Sequence, residues 1–194
     1  HVRMRPGMYI GKTGNGEQSD DGIYVLIKEV LDNSVDEFNT GYAKPTIEIT
    51  VNEYEVSIRD YGRGIPLADV NRACSVMNTS DKFDTENYKR SVGLNGVGMK
   101  AVNFLSTDFC LKSVRDGQFN EVSFHEGLLV KESGIQPLDQ PEENGTFVRF
   151  RPDNSIFKDF TFHEDIVEQM IKKTCYLNTG LTLVFNGRKY HSKN

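Results

Sequence analysis

The chain has 194 residues, of which 37% are apolar, 26% charged and 10% aromatic. That length and composition exclude wholesale disorder and bound the fold at one domain, or one and a small appendage. A net charge of −5 excludes a surface built mainly to hold duplex DNA.

No apolar run approaches the ~20 residues that span a bilayer, and the opening HVRMRPGMYIG lacks the apolar region of a signal peptide. Cys74, Cys110 and Cys175 are scattered, with neither zinc spacing nor a disulfide framework, which is the usage of a reducing cytosol. The chain is read as a domain cut from a longer protein, with residues 1–194 forming one unit.

The first periodic element is a helix over 23–38. Ile23, Leu26, Ile27, Val30, Leu31, Ser34 and Phe38 recur at helical spacing, with Asp20 or Asp21 to cap the start and Gly41 to end it. Two alternating runs follow as a hairpin, with Ile47, Ile49 and Val51 on one face of the first and Tyr54, Val56 and Ile58 on one face of the second. The second strand enters a breaker-rich turn, Asp60-Tyr61-Gly62-Arg63-Gly64-Ile65-Pro66. Residues 67–77 read as a helix.

Residues 78–95 show no period, and a loop of that length inside a compact domain is usually functional. It ends in Gly93-Leu94-Asn95-Gly96-Val97-Gly98, which opens a helix carrying Val97, Ala101, Val102 and Leu105 on one side. Strands are predicted over 107–114, 119–125, 127–132 and 145–151, then a helix over 163–176 and a closing hairpin around Asn186-Gly187. Short turns between successive strands predict a mostly antiparallel sheet with helices on one face, an α+β fold.

Three constellations could carry chemistry. On the first helix, Glu29, Asn33, Asp36 and Glu37 share one stripe that contains no Lys or Arg. A solvated acidic face is the plain reading. Asn33 argues against it, because a mid-helix amide needs a partner. A carboxylate one turn from an amide suits a water-activating base beside a Mg²⁺ ligand, since Mg²⁺ takes oxygen donors and keeps several waters.

The second is Asp60 at its strand end. An ionised carboxylate only accepts hydrogen bonds, so it fits the exocyclic amine of adenine and repels the carbonyl of guanine. The third is the glycine run from Gly93 to Gly98, whose amides at a helix start favour an anion. Gly96-Val97-Gly98-Met99-Lys100-Ala101 also fits the dinucleotide fingerprint, but no strand precedes it, so a Rossmann site is set aside. No P-loop is present. Lys82, Lys89, Arg90, Lys100, Lys112 and Arg115 make residues 81–115 locally basic, as a polyanionic ligand would want. The four histidines have no ligand spacing and read as surface residues.

In this order, EVLDNSVDE, DYGRGIP, VGLNGVG and GTFVRF resemble the GHKL ATPase superfamily. RPGMYIG, KFDTENYKRSVGLNGVG and GTFVRFRPD narrow the resemblance to the ATPase domain of bacterial type IIA topoisomerase B subunits, the topoisomerase IV branch more than the gyrase branch.

The resemblance implies a GHKL (Bergerat) two-layer sandwich in a bacterial, cytoplasmic enzyme that hydrolyses ATP with Mg²⁺. It implies Glu29 as general base, Asn33 as Mg²⁺ ligand, and Asp60 as acceptor from adenine, with Thr146 helping through a shared water. Gly64, Ile65 and Pro66 would line the base pocket, and Arg63 would stack near adenine and pair with Glu37. Tyr88 would contact the nucleoside. Lys82 and the amides of Leu94, Asn95, Gly96, Val97 and Gly98 would hold phosphates, with Arg115 at the pocket mouth.

Asn95 departs from the His usual in gyrase-type members, and Val92 from a common Gly. Implied partners are ATP or a competitive inhibitor, DNA through other domains, a topoisomerase A subunit, and a second copy on ATP binding, the isolated domain being a monomer. The alternative is a non-catalytic, ATP-responsive GHKL binding module.

Overall fold

The computed structural model describes residues 6–41, 44–75 and 96–193. A one-turn helix, α1 (Gly7–Ile10), precedes the long helix α2 (Gly22–Asn39). The apolar stripe read from the sequence is the buried face of α2: Ile23, Leu26, Ile27, Val30 and Leu31 are all sealed into the core. Its start differs from expectation. Asp21 sits at the N-cap, but its side chain makes no cap bond. It turns back to accept from the amides of Gly16 (2.9 Å) and Gln18 (3.0 Å), with Lys12 at 3.5 Å. The carboxylate is thus spent on the preceding loop. At the far end Gly41 takes φ +81° just past the cap residue Thr40, as a helix terminator should.

The strands are β1 (Thr46–Val51), β2 (Val56–Arg59), β3 (Ser106–Arg115), β4 (Gln118–His125), β5 (Leu128–Glu132), β6 (Gln136–Pro137), β7 (Gly145–Pro152), β8 (Thr182–Phe185) and β9 (Arg188–His191). They form one sheet in the order β5-β4-β3-β7-β2-β1-β8-β9, with β6 also on β4. Every pairing is antiparallel except β1 with β8. Three hairpin turns place consecutive residues at positive φ: Asp116 and Gly117, Glu126 and Gly127, Asn186 and Gly187. That is the geometry whose twist matches antiparallel strands.

Alternation along the strands builds the core. Ile47, Ile49, Val56, Ile58, Leu111, Val122, Val148, Phe150, Leu183 and Phe185 are buried on the face against which the helices pack. Tyr54 is not part of that face; β2 begins at Val56 and Tyr54 is exposed at the hairpin tip, its ring edge-on to Phe160.

The helix expected over 67–77 is a 3₁₀ turn (Leu67–Asp69) and a short α3 (Val70–Ser75), beyond which the described residues stop. Helix α4 (Gly96–Phe104) follows, with Ala101, Val102 and, just past its end, Leu105 buried, and α5 (Glu164–Leu177) buries Val167, Ile171 and Cys175. Lys100 is not a surface cation: it is 1% exposed. His125, His163 and His191 are exposed; His1 lies outside the described residues. No helix among the described residues is long and apolar enough to cross a membrane.

Tyr24 ties the loop before α2 to the start of α5. Its buried hydroxyl donates to the Gly16 carbonyl (2.6 Å) and accepts from the His163 amide (2.9 Å). Tyr24→Phe keeps the ring but strands both groups, so the chain should lose about 1–3 kcal/mol of stability in urea unfolding at unchanged slope. An unaltered midpoint would mean that this tie contributes nothing.

Candidate functional site

Helix α2 sets the site. Asn33, Ser34 and Glu37 project from its open side toward the end of β2, where Asp60 leaves the sheet. Asp60 is 5% exposed. Its Oδ2 accepts from the Ser34 hydroxyl (2.8 Å), and its Oδ1 accepts from the amides of Gly62 (3.0 Å) and Thr146 (3.2 Å). The Asp60 amide in turn donates to the Thr146 carbonyl at 3.0 Å, so strand pairing with β7 fixes the carboxylate's root. A carboxylate has about four acceptor positions. Three are filled by the protein, which leaves room for one donor from the cleft.

The turn after Asp60 is built on Glu37. A Cβ at Gly62 would lie 2.6 Å from Glu37 Oε2 and 2.9 Å from its Cβ, so only glycine fits there. Arg63 then closes on the same carboxylate: its amide (2.9 Å) and Nε (3.3 Å) meet Oε2, and its Nη2 meets Oε1 (2.8 Å). Gly64 runs at φ +79°, and the Ser113 hydroxyl of β3 holds the Ile65 carbonyl at 2.7 Å. Gly145 passes so close behind Asp60 that a Cβ would overlap the Asp60 carbonyl oxygen.

These residues line a cleft between α2, the sheet and the start of α4. Asn33, Ser34, Glu37, Asp60 and Thr146 supply its polar wall. Val30, Ile58, Ile65, Ala73, Met99 and Val148 supply its apolar wall. Among the described residues the lining includes Ile65 but not Arg63, Gly64 or Pro66; Pro66 is exposed and starts the 3₁₀ turn. Arg115 is half-buried, and its charge bears on Glu37.

Glu29 does not line this cleft. It stands one turn before Asn33, half-buried, with its carboxylate against the first turn of α4. A Cβ at Gly98 would overlap Glu29 Oε2 and lie 3.0 Å from Cδ. Asn33 Oδ1 is buried and accepts no hydrogen bond among the described residues. Gly96 and Val97 form the opening of α4. Lys82, Tyr88, Leu94, Asn95 and Val92 lie outside the described residues.

Sequence reasoning missed Ser34 as a polar site residue, having placed it in the apolar stripe. A hydroxyl within that stripe was the available signal, because a buried hydroxyl needs a partner. Ala73 and Met99 carried no signal of their own; their place depends on α3 and α4 closing the far wall.

Burial pushes the Asp60 carboxyl above its ordinary value of 3.8, against the three hydrogen bonds that favour the anion. Burial pulls Glu37 upward too, but the Arg63 fork outweighs it and holds the carboxyl below its ordinary 4.5. A depressed folded value adds stability that is present above pH 4.5 and lost as pH falls through the folded value. Glu37→Gln should therefore cost about 1–2 kcal/mol at neutral pH, discounted for the half-exposed Arg63, and converge on the parent as acid protonates Glu37. Denaturation curves across that range check it; a cost independent of pH would contradict it.

Residues 18–156 match the model of the family described as histidine kinase-, DNA gyrase B- and HSP90-like ATPase. The B subunit of DNA topoisomerase 4 from Borreliella burgdorferi is 45% identical over 194 residues, 100% of this chain and 32% of that protein. The B subunit of DNA gyrase from Thermotoga maritima is 37% identical over 196 residues, 96% of this chain and 30% of that protein. The chain thus spans about a third of the length of these curated relatives. The crystal structure of the 43K ATPase domain of Thermus thermophilus gyrase B in complex with an aminocoumarin superposes with a TM-score of 0.75 at 30% identity, covering 99% of this chain and 50% of that one. With its α+β layers, its cleft and these matches, the chain belongs to the histidine kinase-, DNA gyrase B- and HSP90-like ATPase family.

Proposed function

We propose that this chain binds ATP in the Asp60 cleft and hydrolyses it as the single N-terminal ATPase domain of a bacterial type IIA topoisomerase B subunit. The higher identity to the topoisomerase 4 relative, 45% against 37% for the gyrase relative, favours the topoisomerase IV branch. The observation that carries the reading is Asp60: a buried carboxylate in an apolar cleft with room for one more donor.

The adenine amine fills that position. The ring slides between Val30, Ile58, Ile65, Met99 and Val148, and Thr146 assists at the base edge. Guanine would set a carbonyl oxygen against an acceptor that is already anionic, and is rejected. The triphosphate then runs toward the start of α4, where the amides of Leu94, Asn95, Gly96, Val97 and Gly98, with Lys82, hold phosphate oxygens. Tyr88 meets the nucleoside, Arg63 flanks adenine and Arg115 stands at the mouth.

Glu29 faces the far end. Its carboxylate takes a proton from the water whose oxygen bonds to the γ-phosphorus. The bond to the β-phosphate oxygen breaks with its electron pair leaving on ADP, and the proton passes to the released phosphate. Asn33 Oδ1, a hard oxygen with an open lone pair, fits Mg²⁺, and among the described residues no cluster of three His, Cys, Asp or Glu offers it a fuller cage. When bound, Mg²⁺ neutralises charge on the phosphates.

In the whole protein this chemistry would drive passage of one DNA segment through another, with a partner A subunit, DNA held by other domains, and pairing of two such domains on ATP binding. The isolated domain would be a cytoplasmic monomer that binds ATP and turns it over slowly.

Three measurements test the reading. Asp60→Asn preserves shape but removes the charge and one acceptor, so calorimetry should show ATP affinity falling by about 10- to 100-fold with thermal unfolding little changed. In the parent chain, adenosine affinity should fall as pH is lowered, and the fall should begin above pH 3.8, because burial raises the Asp60 carboxyl and protonation weakens it as an acceptor and gives it a donor hydrogen of its own. Unchanged affinity in the variant would refute the adenine assignment. In the complete B subunit, Glu29→Gln should bind a non-hydrolysable ATP analogue normally and lose hydrolysis by about 10²- to 10⁴-fold. Persisting hydrolysis would remove Glu29 from its role, and absence of hydrolysis in the parent would favour the non-catalytic module.

A further inference from the structure

We infer that Gly98 is a positioning residue for hydrolysis: its missing side chain is the seat that holds the Glu29 carboxylate against the first turn of α4. The inference rests on Glu29 being the general base, and names what aims it.

The demand for glycine is steric. A Cβ built on Gly98 would overlap Glu29 Oε2, lie 3.0 Å from Cδ and 3.4 Å from the Glu29 Cβ. The Glu29 carboxylate thus occupies the space that a Cβ at Gly98 would fill. Nothing about the backbone requires glycine there. Gly98 is helical and is not among the glycines at positive φ, so alanine can adopt its conformation. Alanine is also the better helix former. Among the described residues the three nearest heavy atoms all belong to Glu29, and the nearest is the far end of a side chain that can swing aside at little cost. An added methyl group would leave the fold intact and re-aim the base.

This separates Gly98 from the other tight glycines of the site. At Gly62 the Glu37 Cβ would lie at 2.9 Å, against an ordinary 3.4 Å for the Glu29 Cβ at Gly98, and at Gly145 the obstruction is the Asp60 backbone, so a methyl group at either Gly62 or Gly145 would strain the cleft itself. It also separates two uses of one residue. If glycine is needed at 98 so that phosphate can approach the backbone amide, alanine should weaken nucleotide binding. If it is needed to seat Glu29, alanine should spare binding and damage turnover, since a misplacement of about 1 Å at a reacting group can cost on the order of 10²-fold.

The experiment uses the complete B subunit in four forms: parent, Gly98→Ala, Glu29→Asp and the double variant. Thermal unfolding, affinity for a non-hydrolysable ATP analogue and steady-state hydrolysis are measured on each. For Gly98→Ala the expected result is an unfolding midpoint that is not lowered, analogue affinity within about threefold of the parent, and kcat reduced by about 10- to 100-fold. Shortening the acid makes room for the methyl group, so Glu29→Asp should cost markedly less in the Gly98→Ala background than in the parent. Undiminished kcat in Gly98→Ala would overturn the inference. So would a loss confined to nucleotide affinity, or equal costs of Glu29→Asp in both backgrounds. Failure of the underlying reading looks different: Glu29→Gln would then still hydrolyse ATP, whatever Gly98→Ala does.

Discussion

A buried carboxylate with one unused acceptor position is the constraint around which this molecule is arranged. Asp60 sits at 5% exposure with three donors from three different elements: the Ser34 hydroxyl of α2, the Gly62 amide of the turn and the Thr146 amide of β7. Each donor is costly to misplace, because an ionised group in an apolar cleft has no water to fall back on. The turn therefore cannot drift. Glu37 grips Arg63, Gly62 lies flat on Glu37, and Ser113 pins the carbonyl of Ile65. The result is a polar floor held from several elements, which on the proposed function would distinguish a donor from an acceptor on an incoming ring.

Helix α2 then acts as a ruler. Glu29 and Glu37 are eight positions apart on one stripe, about 12 Å along the axis. Between them stand Asn33, whose oxygen accepts no bond among the described residues, and Ser34, which touches Asp60. The acid at one end is committed to holding the turn after Asp60. The acid at the other end lies against the start of α4, where helix amides favour an anion. On the proposed function, one helix face would space the two ends of an elongated anionic ligand; its apolar face, sealed in the core, keeps that spacing fixed.

Much of this was legible in the residues. The periodicities at 23–38 and 163–176, the alternation at 47–51, and the turn pairs Asp116-Gly117 and Asn186-Gly187 are local signals, and local structure followed them. What was not legible depends on distant partners. Strand β1 lies parallel to β8, although the whole middle of the chain separates them. Residues 67–75 divide into a 3₁₀ turn and α3, and long-range bonds invisible to local pattern meet this stretch. Asn120 of β4, for one, reaches the Leu67 carbonyl at 2.8 Å. The short α1 and β6 carry too few residues to show a period. The site divides the same way. The Glu29, Asn33 and Glu37 stripe and the Asp60 turn follow from spacing. Ser34, Met99 and the seat at Gly98 follow only from packing. Lys100 shows the hazard of counting charge along the chain: a cation counted toward the locally basic stretch 81–115 is buried.

The most direct measurement is a structure of this chain with a non-hydrolysable ATP analogue and Mg²⁺. The adenine amine should lie about 3 Å from an Asp60 carboxylate oxygen, with the bonds from Ser34, Gly62 and Thr146 intact and the terminal phosphate beside Glu29. A base bound with its amine away from Asp60, or a triphosphate leaving the cleft on the side opposite Glu29, would contradict it.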